Sequence, residues 1–300
     1  MLIEGTITAM ITPFSRGQVD FDRLRANTAW QIAAGVDGLV PVGTTGESPT
    51  LSHDEHKRVV ETVVEAAAGK VKVIAGTGSN STAEALDFTR HAKSVGADAA
   101  LVVNPYYNKP TQEGLYRHFM TLADEVGLPI VLYNIPGRTG ITMTPQTVAR
   151  LAKHPAIIAI KEATGSLDIA SEILSLVDRR TFGLVSGDDS LTLPLISVGG
   201  RGVISVLSNI VPDRVKAMVS AALAGRFDEA RERHLQLFPL CKAMFIETNP
   251  IPIKTAMRLA GMDTGELRLP LCEMSPSNLA TLENVLREHG VLDQPAAARA

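Results

Sequence analysis

About eight times in its first 224 residues the chain passes from a short, β-branched, almost wholly apolar run into a longer stretch with helical spacing. The short runs are Thr6–Ile11, Gly38–Val42, Lys72–Ala75, Ala99–Val103, Ile130–Tyr133, Ile157–Ile160, Phe182–Val185 and Gly202–Val206. Near-continuous hydrophobicity over so few residues marks parallel strands covered on both faces. The stretches Phe21–Ala34, Ser52–Ala68, Ser81–Val95, Thr111–Val126, Thr144–Lys153, Ser166–Val177, Ser190–Val198 and Pro212–Ala224 read as helices. Ser52 and Glu55 have capping-box spacing, Pro145 and Pro212 lie near helix starts, and Gly35, Gly69, Gly96 and Gly127 follow helix ends. Such alternation specifies a parallel α/β architecture. A closed barrel and a doubly wound sheet both satisfy it, and the even period of about 25–30 residues favours a (β/α)8 TIM barrel. After Ala224 no further strand is evident. Gly225–Glu247, Ile251–Ala260 and Ser277–His289 read as helices, so a C-terminal helical domain over 225–300 is expected to follow a barrel domain over 1–224.

Composition narrows the function classes. Of 300 residues, 45% are hydrophobic and 20% charged, as in an ordinary soluble globular protein. A net charge of -3 with only 4% aromatic residues leaves neither a basic footprint nor stacking platforms for nucleic acid. Cys241 and Cys272 are too few for a disulfide framework or a structural zinc site, which points to a reducing, cytoplasmic setting. No apolar run approaches the roughly 18 residues of a membrane span, and the start carries Glu4 and no basic leader. The small, polar tail Gln294–Ala300 is expected to fray.

In barrels of this kind chemistry collects at the C-terminal ends of the strands. Those ends carry Gly43-Thr44-Thr45-Gly46-Glu47, Asn104-Pro105-Tyr106-Tyr107, Tyr133-Asn134-Ile135-Pro136-Gly137-Arg138, Lys161-Glu162-Ala163-Thr164 and Ser186-Gly187-Asp188-Asp189. Lys161 emerges from the top of the apolar run Ala156–Ile160. An apolar surround favours a free amine over ammonium, and a free amine is a nucleophile. The competing reading is a lysine that snorkels to solvent or pairs with Glu162. Tyr133, one strand away, is placed to relay protons, or else is a core phenol with one satisfied hydroxyl. Tyr107 on a neighbouring loop would join such a relay. Gly43–Gly46 offers two hydroxyls and backbone N–H groups to a carboxylate or phosphate, or is a plain strand–helix turn. Arg138 is either a bidentate carboxylate grip or a solvated loop arginine. Gly199-Gly200-Arg201-Gly202 precedes the eighth strand and reads as a bottom-face turn. His53-Asp54-Glu55-His56 falls in a helix's first turn with no matching third ligand, so no metal is expected there.

These motifs, with Gly202–Val206 and Asn249-Pro250-Ile251-Pro252-Ile253-Lys254, resemble the dihydrodipicolinate synthase family over nearly the whole chain. The lysine and Tyr-Asn-Ile-Pro motifs mark the wider superfamily of pyruvate-dependent aldolases that includes N-acetylneuraminate lyase. Arg138 and the Gly-Thr-Thr-Gly-Glu form are more particular to the synthases. The resemblance implies a Schiff base between Lys161 and pyruvate, and a proton relay of Thr44, Tyr133 and Tyr107, with Tyr107 coming from an adjacent subunit. It implies further that Thr45 holds the pyruvate carboxylate and Arg138 the carboxylate of L-aspartate 4-semialdehyde. Gly187 would lie at the substrate, and the Ile204 carbonyl would poise the imine. No cofactor or metal is implied.

Ser48, His53, His56, Asn80, Glu84 and Tyr106 resemble the family's lysine-inhibition site, with Pro49 where small residues are common in sensitive members. The resemblance also implies a homotetramer built as a dimer of dimers. The rival expectations are a pyruvate aldolase acting on a sugar aldehyde, for which Arg138 has no carboxylate to attract, and a non-catalytic barrel that binds a small carboxylate.

Overall fold

A computed structural model describes residues 2–293 of the chain; the tail from Gln294 onward lies outside the described residues. Eight parallel strands form a closed barrel: β1 Gly5–Ala9, β2 Gly38–Val40, β3 Lys72–Gly76, β4 Ala99–Val103, β5 Ile130–Asn134, β6 Ile157–Glu162, β7 Gly183–Ser186 and β8 Gly202–Ser205. Closure is made by β1, which pairs with β8 through Gly5–Gly202 to Thr8–Ser205 and with β2 through Ile7–Gly38 to Ala9–Val40. The helices that follow each strand are α1 Phe21–Ala33, α2 His53–Ala67, α3 Thr82–Ser94, α4 Gln112–Val126, α5 Pro145–Leu151, α6 Leu167–Leu176, α7 Thr192–Ser197 and α8 Pro212–Leu223. Three more close the chain: α9 Phe227–Ala243, α10 Ile251–Leu259 and α11 Pro276–Glu288. The alternation of runs therefore resolves as the barrel, not the open sheet.

The strand period of two sorts side chains into two cores. Ile7, Val40, Ile74, Leu101, Val131, Tyr133 and Ile204 fill the inside of the barrel. Leu39, Leu132, Ile160 and Leu184 face outward and pack with Leu24, Val63 and Phe119 of the helical ring. A further core joins Val203 of β8 and Val215 and Met218 of α8 to Leu240, Ile253 and Leu286 of the closing helices. The closing helices thus share apolar contacts with the last strand–helix unit of the barrel.

Local signals act as their chemistry dictates. Ser52 Oγ accepts from Glu55 N (3.1 Å) and Glu55 Oε2 accepts from Ser52 N (3.0 Å), which completes the capping box of α2. Pro145 and Pro212 occupy first-turn positions, where no amide donor is needed. Gly199 and Gly200 form the turn that enters β8 from the bottom.

Several details differ from the sequence reading, among them a one-turn helix at Pro136–Thr139 where a loop was expected around Arg138, and strands β5 and β6 that run on to Asn134 and Glu162. The expected helix Ser190–Val198 splits into a 3-10 turn at Asp189–Leu191 and the short α7, because Pro194 fits only in a first turn. The first closing helix ends at Ala243, well short of Glu247. A two-stranded hairpin, Phe14–Ser15 with Gln18–Val19, precedes α1.

Candidate active site

Lys161 and Tyr133 are register partners on β6 and β5. The pairing shifts between Ile130 and Val131, and above this irregularity the two strands run in step to Asn134–Glu162. Both side chains point into the barrel. Lys161 is only 5% exposed, and its Nζ lies 4.2 Å from the Tyr133 ring centroid. It neither snorkels outward nor pairs with Glu162, which projects from the opposite face of β6.

That opposite face carries a polar ladder across three strands. Asn104 Nδ2 donates to Asn134 Oδ1 (3.1 Å), and Asn134 Nδ2 donates to Glu162 Oε2 (3.1 Å). Glu162 Oε1 accepts from Thr164 N at 2.6 Å. Each ladder residue follows an inward-facing one: Val103, Tyr133 and Lys161. Asn104, Asn134 and Glu162 are all buried, and burial pushes the Glu162 carboxyl above the usual carboxylate range. The ladder ties together the strand tops that present Tyr133 and Lys161.

Gly187 explains itself by contact. A Cβ on it would lie 2.7 Å from Ala163 Cβ and 3.0 Å from Lys161 Cε, so the lysine stem occupies the space a side chain would need. Ile204 is fully buried in β8. Just beyond it, Asp189 Oδ1 accepts from Ser205 Oγ (2.5 Å), and Oδ2 accepts from Val206 N (2.9 Å) and Leu207 N (3.0 Å). This buried carboxylate fixes the path of the chain leaving β8.

The loop after β2 begins at Val42, whose φ of +50° is costly for a β-branched residue. Gly46 N and Glu47 N fold back onto the Gly43 and Thr44 carbonyls. The N–H groups of Thr44 and Thr45 have no protein acceptor among the described residues, which leaves them free for an anion. Glu47, also at positive φ, anchors the loop from below. Its Oε1 accepts from Lys254 Nζ (2.7 Å) and its Oε2 from Arg268 N (3.1 Å). Glu47 and Lys254 are both buried, and Lys254 Nζ donates also to the Thr12 carbonyl.

Above the loop lies a cavity of about 290 Å³, lined among others by Thr44, Val103, Ile135, Arg138 and Asn249. Arg138 stands at its exposed rim, and its Nη2 donates to the Asn249 carbonyl (2.8 Å). Asn249 Nδ2 donates in turn to the buried Thr45 Oγ1 (3.0 Å). A smaller space below, bordered by Thr44, Val42 and Val103, reaches Tyr133. Tyr107 does not line either space. It is 90% exposed at φ +71°, turned away from the barrel mouth of its own chain.

A second cavity of about 200 Å³ shares Ser48, Pro49, Gly78 and Tyr106 with the mouth and is completed by His53, His56, Glu84 and Phe88. His53 Nε2 pairs with Glu84 Oε1 (2.7 Å), and His56 stacks on Phe88 at 3.9 Å. Burial holds His56 down to about 4. Asn80 lies beside this group, its carbonyl accepting from Asn108 Nδ2. Glu55 faces elsewhere: it binds Arg268 with both oxygens at 2.7 Å. Of the His53–His56 stretch, the two histidines therefore face this cavity and Glu55 does not.

The structure thus gathers Lys161, Tyr133, Thr44, Thr45, Gly187 and Arg138 at one barrel mouth, and the second residue group beside it. Sequence reasoning assigned no role to Asp189, Asn249 or Lys254 and weighed Glu162 only as a partner of Lys161, although all four fall in motifs it quoted. A buried lysine amine beside a phenol, inside a closed barrel of eight parallel strands, fits the class of Schiff-base lyases built on the (β/α)8 barrel. The chain matches the model of the dihydrodipicolinate synthetase family over residues 2–289, and it belongs to that family.

It is 54% identical over 291 residues to the 4-hydroxy-tetrahydrodipicolinate synthase of Geotalea daltonii, covering 97% of this chain and 100% of the relative. The dihydrodipicolinate synthase structure from Aquifex aeolicus is similar at TM-score 0.95 and 51% identity, over 97% of this chain and 100% of that one. Two further similar structures carry ligands. The Acinetobacter baumannii enzyme was solved with pyruvate (41% identity, TM-score 0.94, 97% of this chain and 100% of that one). The Cyanidioschyzon merolae enzyme was solved with lysine bound (42% identity, TM-score 0.93, 96% and 99%).

Proposed function

We propose that the protein acts as a 4-hydroxy-tetrahydrodipicolinate synthase, condensing pyruvate with L-aspartate 4-semialdehyde in lysine and diaminopimelate biosynthesis. The observation that carries the reading is the Lys161–Tyr133 pair at the base of a mouth rimmed by Arg138. The Lys161 amine attacks the keto carbon of pyruvate and water leaves, with Tyr133 moving the protons. The resulting iminium draws electrons from the methyl group, which loses a proton to give an enamine. The enamine carbon attacks the aldehyde of the second substrate. The amine of that substrate then displaces Lys161 by transimination and closes the ring. No step is routed through a metal or organic cofactor.

The free Thr44 and Thr45 N–H groups support the assignment of the pyruvate carboxylate to this loop. Thr44 joins Tyr133 in the relay, and Gly187 leaves room for Lys161 to swing. The Ile204 carbonyl faces the imine, and Arg138 takes the second carboxylate. Tyr107 completes the relay of a neighbouring subunit; its exposure and its strained backbone support that role. The assembly is a homotetramer, a dimer of dimers, in the cytoplasm. The barrel and the closing helices form two domains divided after residue 224.

Turnover of pyruvate with L-aspartate 4-semialdehyde, beside N-acetylmannosamine and simple sugar aldehydes, tests the reading. Turnover with the semialdehyde alone sustains it; turnover with a sugar aldehyde alone moves the protein to another aldolase branch. Mixed tetramers of Tyr107→Phe and Lys161→Ala chains test the shared site, because sharing makes activity depend on how chains are paired.

The second cavity is proposed as a feedback site for L-lysine, on the support of its paired Glu84 and His53 and its stacked His56. An unchanged rate across a millimolar lysine titration overturns that assignment.

A further inference from the structure

One residue of the closing helical segment touches both groups assigned to substrate carboxylates. Asn249 lies two positions before α10 begins, 204 residues from Thr45 and 111 from Arg138. Its side-chain amide donates to Thr45 Oγ1 at 3.0 Å, and its main-chain carbonyl accepts from Arg138 Nη2 at 2.8 Å. It is 5% exposed and borders the mouth cavity, while its Oδ1 has no partner among the described residues.

The direction of the first bond matters. A threonine hydroxyl carries one proton and can accept as well as donate. With the Asn249 amide donating into Oγ1, the Thr45 proton is not used on Asn249. Thr45 Oγ1 donates to no protein group among the described residues. The hydroxyl is therefore held ready as a donor, which is the polarity a carboxylate requires. Were Asn249 the acceptor, the Thr45 proton would be spent and its oxygen would face the anion with lone pairs.

We infer that Asn249 is a positioning residue that sets Thr45 as a hydrogen-bond donor to the pyruvate carboxylate through its side chain and holds Arg138 at the mouth through its main chain. The inference rests on the functional reading above, which assigns Thr45 and Arg138 to two different carboxylates. It divides the roles of one residue between two substrates. Side-chain replacement removes the Thr45 contact and leaves the carbonyl to Arg138 in place.

The test is borohydride trapping of the pyruvate imine on Lys161, read by mass spectrometry across a pyruvate titration, together with KM for each substrate. In Asn249→Asp the new carboxylate accepts the Thr45 proton. The pyruvate concentration for half-maximal trapping is expected to rise about tenfold or more, the scale of one hydrogen bond to a charged group. KM for the semialdehyde is expected to stay within about twofold, as for an uncoupled contact. Thr45→Val should raise the pyruvate requirement similarly, and adding Asn249→Asp to it should change little further, since the two act through one bond.

If the aspartate variant does not fold, Asn249→Ala tests the positioning alone: it removes the bond that holds Oγ1 but leaves the Thr45 proton free, so the pyruvate requirement is expected to rise by only a few fold, still with KM for the semialdehyde unchanged within about twofold. Half-saturation equal to wild type, or equal losses for both substrates, or multiplicative losses in the double variant, overturns the inference. Absence of trapping in the wild type would instead overturn the functional reading itself.

Discussion

Tyr133 and Lys161 meet across β5 and β6 as register partners, with the lysine Nζ 4.2 Å from the centre of the phenol ring. The geometry separates nucleophile from proton carrier. Lys161→Ala is expected to abolish borohydride trapping of pyruvate. Tyr133→Phe keeps the amine and the ring but removes the hydroxyl, so kcat should fall about 10²–10⁴-fold while slow trapping persists. Unchanged kcat in Tyr133→Phe would remove the phenol from the relay.

Gly187→Ala places a methyl within 3.0 Å of Lys161 Cε and 2.7 Å of Ala163 Cβ. The lysine stem must move, so activity should fall at least tenfold, and overpacking should cost about 1–3 kcal/mol of stability. Urea midpoints and imine trapping measure the two effects separately. Wild-type values for both would show that the contact is absorbed elsewhere.

The ion pair of Glu47 and Lys254 is buried on both sides. Lys254→Ala leaves Glu47 charged without its partner, and should cost about 3–5 kcal/mol. Glu47→Gln combined with Lys254→Met should recover much of that loss, because no lone charge remains buried. Urea unfolding of the three variants reads this directly.

Acid sensitivity has identifiable sources. His56 and His118 are both held down to about 4, each by burial first, against an ordinary value of 6.5. Between those values the unfolded chain binds more protons, so stability rises with pH and is lost as pH falls from about 6.5 to 4. Each histidine contributes a slope of up to about 1.4 kcal/mol per pH unit. A further loss follows from 4.5 to about 2, where Glu55 protonates and releases Arg268. His118→Gln should flatten the pH 7 to pH 5 change in urea midpoint; an unaltered change would assign the slope to other groups.

Much of this was legible in the residues. Eight runs of buried apolar side chains give eight strands, since burial on both faces leaves no polar positions to blur the signal. Lys161 is legible because it ends such a run. The hairpin at Phe14–Val19 is not, because its turn is Arg16-Gly17 and each strand has two residues, too few to show a period. The ties of Asn249 to Thr45 and of Lys254 to Glu47 span more than 200 residues, and periodicity is blind to contacts at that distance. Glu162 reads as a surface charge beside a lysine until alternation along β6 sends it to the opposite face.

The anchoring of the Gly43–Glu47 loop by Lys254 and Arg268 has a consequence for how the protein comes into being. A ribosome adds residues one after another, and early strands can begin to associate while the rest is still being made. Yet the groups that hold this loop from below are supplied only in the last sixth of the chain. A partly synthesised barrel would own its lysine nucleophile but lack a finished anion grip, so the nascent enzyme should stay silent until its final helices arrive.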